Sequence, residues 1–285
     1  MEETPCESSS SLIEGQGAVE ARYPHRLRET MPARHTDKRK MMTGSEATLS
    51  EENPYFQEWT RQIDAQRNRQ GMLLKADRAR DFDMVAKVFA FRKSYIQKYA
   101  HAIPTGAALN TISSFAPIVE MAAGTGYWAS LLRAQGVDVI CYDRNPPGQP
   151  GVENNRFHEG AKCWTEVLQG DDSAIDSHPH RTLLLCWPPP NSDTPVRALT
   201  RYRGEHFIYI GELPEDEDGY LYFTHLGKTV RKGVTIVPQF FAELRREWDL
   251  LKQVELPHWE ICLDNLYAFK RKVNPQMKTL RISRG

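Results

Sequence analysis

The run Pro117-Ile118-Val119-Glu120-Met121-Ala122-Ala123-Gly124-Thr125-Gly126-Tyr127-Trp128 constrains this chain more than any other stretch. A short apolar strand carries an acidic residue towards its end, breaks into a bend of small residues, and opens a helix through Trp128, Leu131 and Leu132 that Gly136 ends. Gly124 and Gly126 can take backbone angles closed to other residues, and they leave room for a ligand to lie against the main chain. A second strand follows over 137–142. Asp143 stands at its end, where a doubly wound sheet presents a carboxylate to ribose hydroxyls.

Downstream, short apolar runs alternate with helical patterns, as in a mostly parallel sheet covered on both faces. The strands read as 118–121, 137–142, 165–168, 182–186 and 207–210. Residues 237–248 then form an amphipathic helix with Phe240, Phe241, Leu244 and Trp248 on one face. Two last strands, 250–256 and 266–269, have only Pro257 and a turn-rich segment between them, so the final strand runs antiparallel.

Upstream, residues 54–99 read as helix, with Phe82, Val85, Phe89, Ile96 and Tyr99 at three- and four-residue steps. Pro104 stops it, and Thr105 caps a short successor over 107–112. Residues 1–50 carry too few large apolar side chains to offset ordering entropy, so a disordered extension is expected, with its basic stretch 22–40 a solvated tail. The expected division is this extension, a helical cap over 51–113, and the sheet domain over 114–285.

Composition excludes several classes. The 37 basic and 37 acidic side chains cancel, so no chain-wide field draws the protein onto phosphate backbones, and nucleic acid is not a favoured partner. The cysteines Cys6, Cys141, Cys163, Cys186 and Cys262 are odd in number and lack the close pairs of zinc sites, which suits a reduced, cytoplasmic protein. No apolar run is long enough for a bilayer, and Glu2 and Glu3 stand where a secretory leader carries positive charge. His178 and His180 have no third ligand in view and read as a surface loop, as does the acidic turn at 215–218, so no metal is expected.

The run around Glu120, with Asp143, resembles motif I and the acidic residue of motif II in class I S-adenosylmethionine-dependent methyltransferases. That resemblance implies a Rossmann-like α/β sheet of seven strands with an antiparallel last strand. It implies S-adenosylmethionine as cofactor, with Glu120 near the methionine amino group through water, Ala122, Gly124, Gly126 and Tyr127 along the cofactor, Asp143 on the ribose, and Gly170 and Asp171 at the adenine. Ala122 departs from the pattern, which has glycine there. The second signal, Leu183-Leu184-Leu185-Cys186-Trp187-Pro188-Pro189-Pro190, is similar in placement to motif IV. It puts Cys186 and Trp187 at the cofactor and Tyr99, Trp187, Pro188 and Pro189 around the acceptor. Because the polar first residue of that motif is missing, methylation of an adenine or glutamine amino group is not implied.

Together with Tyr99 to Thr105 and Gly211-Glu212, these runs resemble a methyltransferase-like family of bacteria and protists with a Cys-Trp-Pro-Pro-Pro motif. The resemblance lends a fold and a cofactor but no substrate, so the acceptor is a small molecule or a protein. His101 and His158 are the candidate general bases. His101, Tyr127, Trp164 and Tyr202 are candidate pocket aromatics, although aromatic residues at such places are more often core. Two other readings stay open. Gly124 to Ala129 also fits the dinucleotide fingerprint of an NAD(P)-binding oxidoreductase, although Glu120 is ill placed beside a pyrophosphate. A binding protein can also keep this fold and cofactor without turnover.

Overall fold

The computed structural model describes residues 53–62, 65, 82–189, 192–214, 220–225, 228–233, 236–259 and 262–273, all within the compact unit Met42–Gly285. The extension expected over 1–50 with its basic stretch, the part of the expected helix between 66 and 81, and the turn expected at 215–218 lie outside the described residues.

Seven strands form one sheet: β1 (Ile118–Met121), β2 (Val139–Asp143), β3 (Leu168–Gln169), β4 (Thr182–Cys186), β5 (His206–Gly211), β8 (Trp248–Glu255) and β9 (Asn265–Arg271). Their order is β3-β2-β1-β4-β5-β9-β8, with β6 (Tyr220–His225) and β7 (Lys228–Gly233) paired separately. The pairs among β1 to β5 are parallel, whereas β9 runs antiparallel to both β5 and β8. This is the Rossmann-like seven-stranded sheet expected from the sequence.

Side-chain alternation explains how the sheet is covered. Ile118, Leu184, Ile208, Ile210, Leu266 and Ala268 point to one face, where Leu109, Ile112, Trp128 and Leu132 of α3 (Gly106–Ser113) and α4 (Tyr127–Ala134) bury them. Val119, Leu183, Leu185, Phe207, Tyr209, Tyr267 and Phe269 point to the other, under Ala198 and Leu199 of α5 (Thr194–Arg201) and Phe240, Phe241 and Leu244 of α6 (Pro238–Glu247). Central parallel strands are thus apolar on both sides, which is why β1 and β4 read as unbroken apolar runs.

The differences from the sequence reading have local causes. The third strand shrinks from 165–168 to two exposed residues, because Val167 turns into the core before the chain pairs with β2. Leu250 and Leu251 lie on the edge strand β8, half exposed beside a register shift. The hairpin β6–β7 and helix α5 are additions. Within 54–99, the described residues hold α1 (Pro54–Arg61) and α2 (Phe82–Lys98), and Thr105 caps α3 by accepting from Ala108 N–H at 3.2 Å.

The N-terminal helices attach through a mainly aromatic cluster in which Tyr55, Tyr99, Tyr127 and Trp259 pack with Ile103. Asn53, fully buried, caps α1 by accepting from the Tyr55 and Phe56 amides, accepts the Tyr127 hydroxyl at 2.6 Å and donates to Pro104 O at 2.9 Å. Asn53→Ala removes the cap and strands a buried hydroxyl and carbonyl, so a loss of about 3 kcal/mol is expected in chemical denaturation. Removing the exposed cap Asp171, which accepts from Ser173, costs no more than about 1 kcal/mol in the same assay.

Candidate functional site

The bend after β1 is built from left-handed backbone: Ala122 at φ 55°, Gly124 at 55° and Gly126 at 68°. Ala122 therefore occupies a conformation that favours glycine, at a cost of about 1–2 kcal/mol. The two glycines serve different neighbours. A Cβ on Gly124 would collide with His158 Nε2, whereas one on Gly126 would meet Val167 Cγ2 at 2.6 Å. Gly126 is thus a packing glycine and Gly124 a glycine of the cleft.

Asp143, at the end of β2, holds the bend. Its Oδ2 accepts Gly124 N–H at 2.8 Å, and its Oδ1 accepts Asn145 N–H at 2.9 Å and Asn155 Nδ2 at 3.3 Å. A carboxylate offers about four acceptor positions. One on Oδ2 is left for a ligand.

A cavity of about 370 Å³ opens at these strand ends, within the usual range of small-molecule sites. The structure brings Glu120, Ala122, Gly124, Asp143, Gly170, Asp171, Cys186, Trp187, Pro189, His101 and His158 to its wall. Gly126, Tyr127, Tyr99 and Pro188 stand outside that lining. The hydroxyls of Tyr99 and Tyr127 are committed to Glu58 and Asn53 inside the aromatic cluster. Tyr202 is core, and Trp164 stacks on Tyr99 at 5.4 Å with its outer part exposed. The sequence reading missed Asn145, Asn155, Phe157 and Trp128 as lining residues. The Asp143-Arg144-Asn145 and Asn154-Asn155 runs were the available signal for the asparagines.

The wall holds more acids than bases, with Asp143, Glu153, Asp171, Asp172 and the buried Glu120 against Arg144 and Arg156. Glu120 is 1% exposed and its Oε2 has no hydrogen-bond partner. Burial, reinforced by Asp143, pushes its carboxyl up to about 8 against the pull of Arg133. Trp128, 1% exposed, leaves its indole Nε1–H without an acceptor. The cavity is therefore bordered by one unmatched acceptor and one unmatched donor.

Trp187 also takes left-handed backbone, φ 46°, which a bulky residue tolerates only when its surroundings impose it. Here its N–H bonds Ile210 O at 2.9 Å, its indole donates to buried Asp264 at 2.9 Å, and its ring stacks on His101 at 5.6 Å. Desolvation first, then the Arg92 and His158 charges, push His101 down to about 3. Burial also lowers His158, whose Nδ1 lies 3.4 Å from Gln97 O. Cys186 is pushed up by burial and stays a thiol. Among the described residues no group of three metal-ligating side chains gathers, and no helix is long and apolar enough to cross a membrane.

No family model and no curated protein matches the chain. Among solved structures it is similar to the glycopeptide N-methyltransferase MtfA complexed with S-adenosyl-L-homocysteine, at 14% identity, covering 58% of this chain and 88% of that one, TM-score 0.37. It is similar to the 1,6-didemethyltoxoflavin-N1-methyltransferase of Burkholderia thailandensis at 18% identity, covering 67% and 86%, TM-score 0.38. It is also similar to the tRNA (uracil-54, C5)-methyltransferase of Pyrococcus abyssi at 13% identity, covering 60% and 40%, TM-score 0.36. At this distance the likeness carries no argument about chemistry, which rests on the residues themselves.

Ala122→Gly is expected to be neutral or stabilising by up to about 1 kcal/mol in urea denaturation, whereas Gly124→Ala costs about 2–3 kcal/mol, part of which His158→Ala restores. For Glu120 the folded pKa lies above the unfolded one, so the fold holds an extra proton between about pH 4.5 and 8 and loses stability as pH rises through that window. Glu120→Gln should gain on wild type over that range and match its pH dependence below it.

Proposed function

We propose that the chain is an S-adenosylmethionine-dependent methyltransferase acting on a small-molecule or protein acceptor. The observation that carries this reading is the presence of two unmatched groups in the lining of one cavity. Glu120 Oε2 awaits a cation and the Trp128 indole awaits an acceptor, which suits an ammonium and carboxylate on one carbon. Asp143 keeps one acceptor position for a ribose hydroxyl. A second hydroxyl reaches Oδ1 only in exchange with the Asn155 amide, which makes Asn155 a ribose partner in its own right. Gly170 and Asp171 border the adenine end, although Asp171 also caps the short helix Asp172–Ser177.

The predominantly acidic wall favours a cationic cofactor over a pyrophosphate, which supports this reading against an NAD(P)-dependent oxidoreductase. The cofactor, when bound, supplies a methyl already activated by its sulfonium. The chain supplies alignment and exclusion of water. Between α2 and α3, Ala100 and His101 contribute to the wall, on the side assigned here to the acceptor. Trp187 and Pro189 border that side, with the indole fixed by Asp264 and His101 rather than free to swing onto an acceptor. His101 is too weak a base to take a proton at neutral pH, which leaves His158 of the two imidazoles to receive one from a hydroxyl or ammonium acceptor.

Calorimetry should show S-adenosylmethionine and S-adenosylhomocysteine binding while NADH does not. Asp143→Asn should weaken both by about tenfold, the worth of one hydrogen bond to a charged acceptor. Tight binding of NADH alone contradicts the reading. Transfer of a radiolabelled methyl group into a fraction of cell extract then separates an enzyme from a binder that keeps the fold without turnover.

A further inference from the structure

We infer that cofactor capture at Glu120 is an exchange of one cation for another: the side chain waits buried at the cavity wall as a neutral acid and releases its proton when the charged cofactor arrives. The inference rests on the functional reading above and adds a protonation change to it.

Glu120 sits in β1, the strand flanked by β2 and β4, opposite Cys141 on one side and Leu184 on the other. The groups that face it can be named element by element. From β2 come the Cys141 thiol and the Asp143 carboxylate, from β4 the Cys186 thiol, and from α4 the Arg133 guanidinium and the Ala129 N–H. The nearby cation, Arg133, makes no ion pair with Glu120, because its guanidinium is occupied. Its Nε and Nη2 donate to Val139 O at 3.1 and 2.9 Å, and its Nη1 donates to Thr165 Oγ1 at 2.6 Å and Glu166 O at 2.9 Å.

A carboxylate at this place would be a buried anion beside a second anion, with one oxygen unpartnered, and keeping the proton avoids that cost. The raised pKa of about 8 agrees with the geometry. A bound ligand cation supplies the opposite charge that the fold withholds, so the ionised form becomes the favoured one. The O–H bond of the carboxyl breaks, the proton passes to the buffer, and the carboxylate keeps the electron pair.

The sign of the linkage follows. At neutral pH the free protein carries the proton and the complex does not, so binding releases a proton and tightens as pH rises towards 8. His101 and His158 are both depressed and stay neutral across this range, so neither cavity imidazole contributes.

The test is calorimetric titration of the full chain with S-adenosylmethionine at about pH 6.5 in two buffers of different ionisation enthalpy, with Kd followed from about pH 6 to 7. The expected result is close to one proton released per cofactor bound, and a Kd that rises about tenfold on going from pH 7 to pH 6. Glu120→Gln, neutral and nearly isosteric, should bind without proton release and with a flat Kd. If that variant does not fold, the wild-type buffer pair alone decides. Binding with no net proton release, or release that persists in Glu120→Gln, overturns the inference and leaves the cofactor assignment standing. Failure to bind S-adenosylmethionine at every pH overturns both.

Discussion

The cleft depends on one carboxylate. Asp143 ties the end of β2 to the bend after β1 through Gly124 N–H, and the same side chain gathers Asn145 and Asn155. With that tie in place the backbone between Met121 and Tyr127 passes through three left-handed residues, one of them an alanine. The strain at Ala122 is of the same order as a single hydrogen bond to a charged group, so a clamp of three such bonds is enough to hold it. The bend then places Gly124 beneath His158 and starts α4 at Tyr127, which fixes both walls of the cavity.

Electrostatics shape what this cavity accepts. Most acids of the fold find partners, as Asp172 does in Arg197 and Asp138 in Arg181. Glu120 differs, being nearly inaccessible and without an ion pair, and it lines the cleft. Such groups destabilise a fold unless they stay neutral or meet a ligand. At the other end, Trp187 is held against its backbone preference by Asp264 and stacked on His101, which makes that side of the cavity a fixed wall rather than a mobile plate.

Much of the sheet was legible because central parallel strands are buried on both faces. β1 and β4 have the bounds that their apolar runs predict, and the face of Phe240, Phe241 and Leu244 marks α6. What escaped has little apolar pattern to read: β3 is two exposed residues, and α5 buries only Pro195, Ala198 and Leu199. Adjacency to the bend picked out Glu120, Ala122, Gly124 and Asp143, which all line the cavity. Tyr127, named on the same ground, stands outside the lining, and its hydroxyl is claimed by Asn53 across 74 residues of sequence, a contact no local pattern encodes. Asn155 was hidden for a similar reason, since a loop amide reveals its role only when folding sets it beside Asp143.

The central claim is that this cavity receives an adenosyl amino acid. A crystal structure with S-adenosylhomocysteine tests it most directly. The account predicts the ligand's ammonium at Glu120, its carboxylate at the Trp128 indole and a ribose hydroxyl on Asp143 Oδ2. A ligand bound elsewhere, or a cleft in which Glu120 and Trp128 remain unpartnered beside the bound molecule, would contradict it.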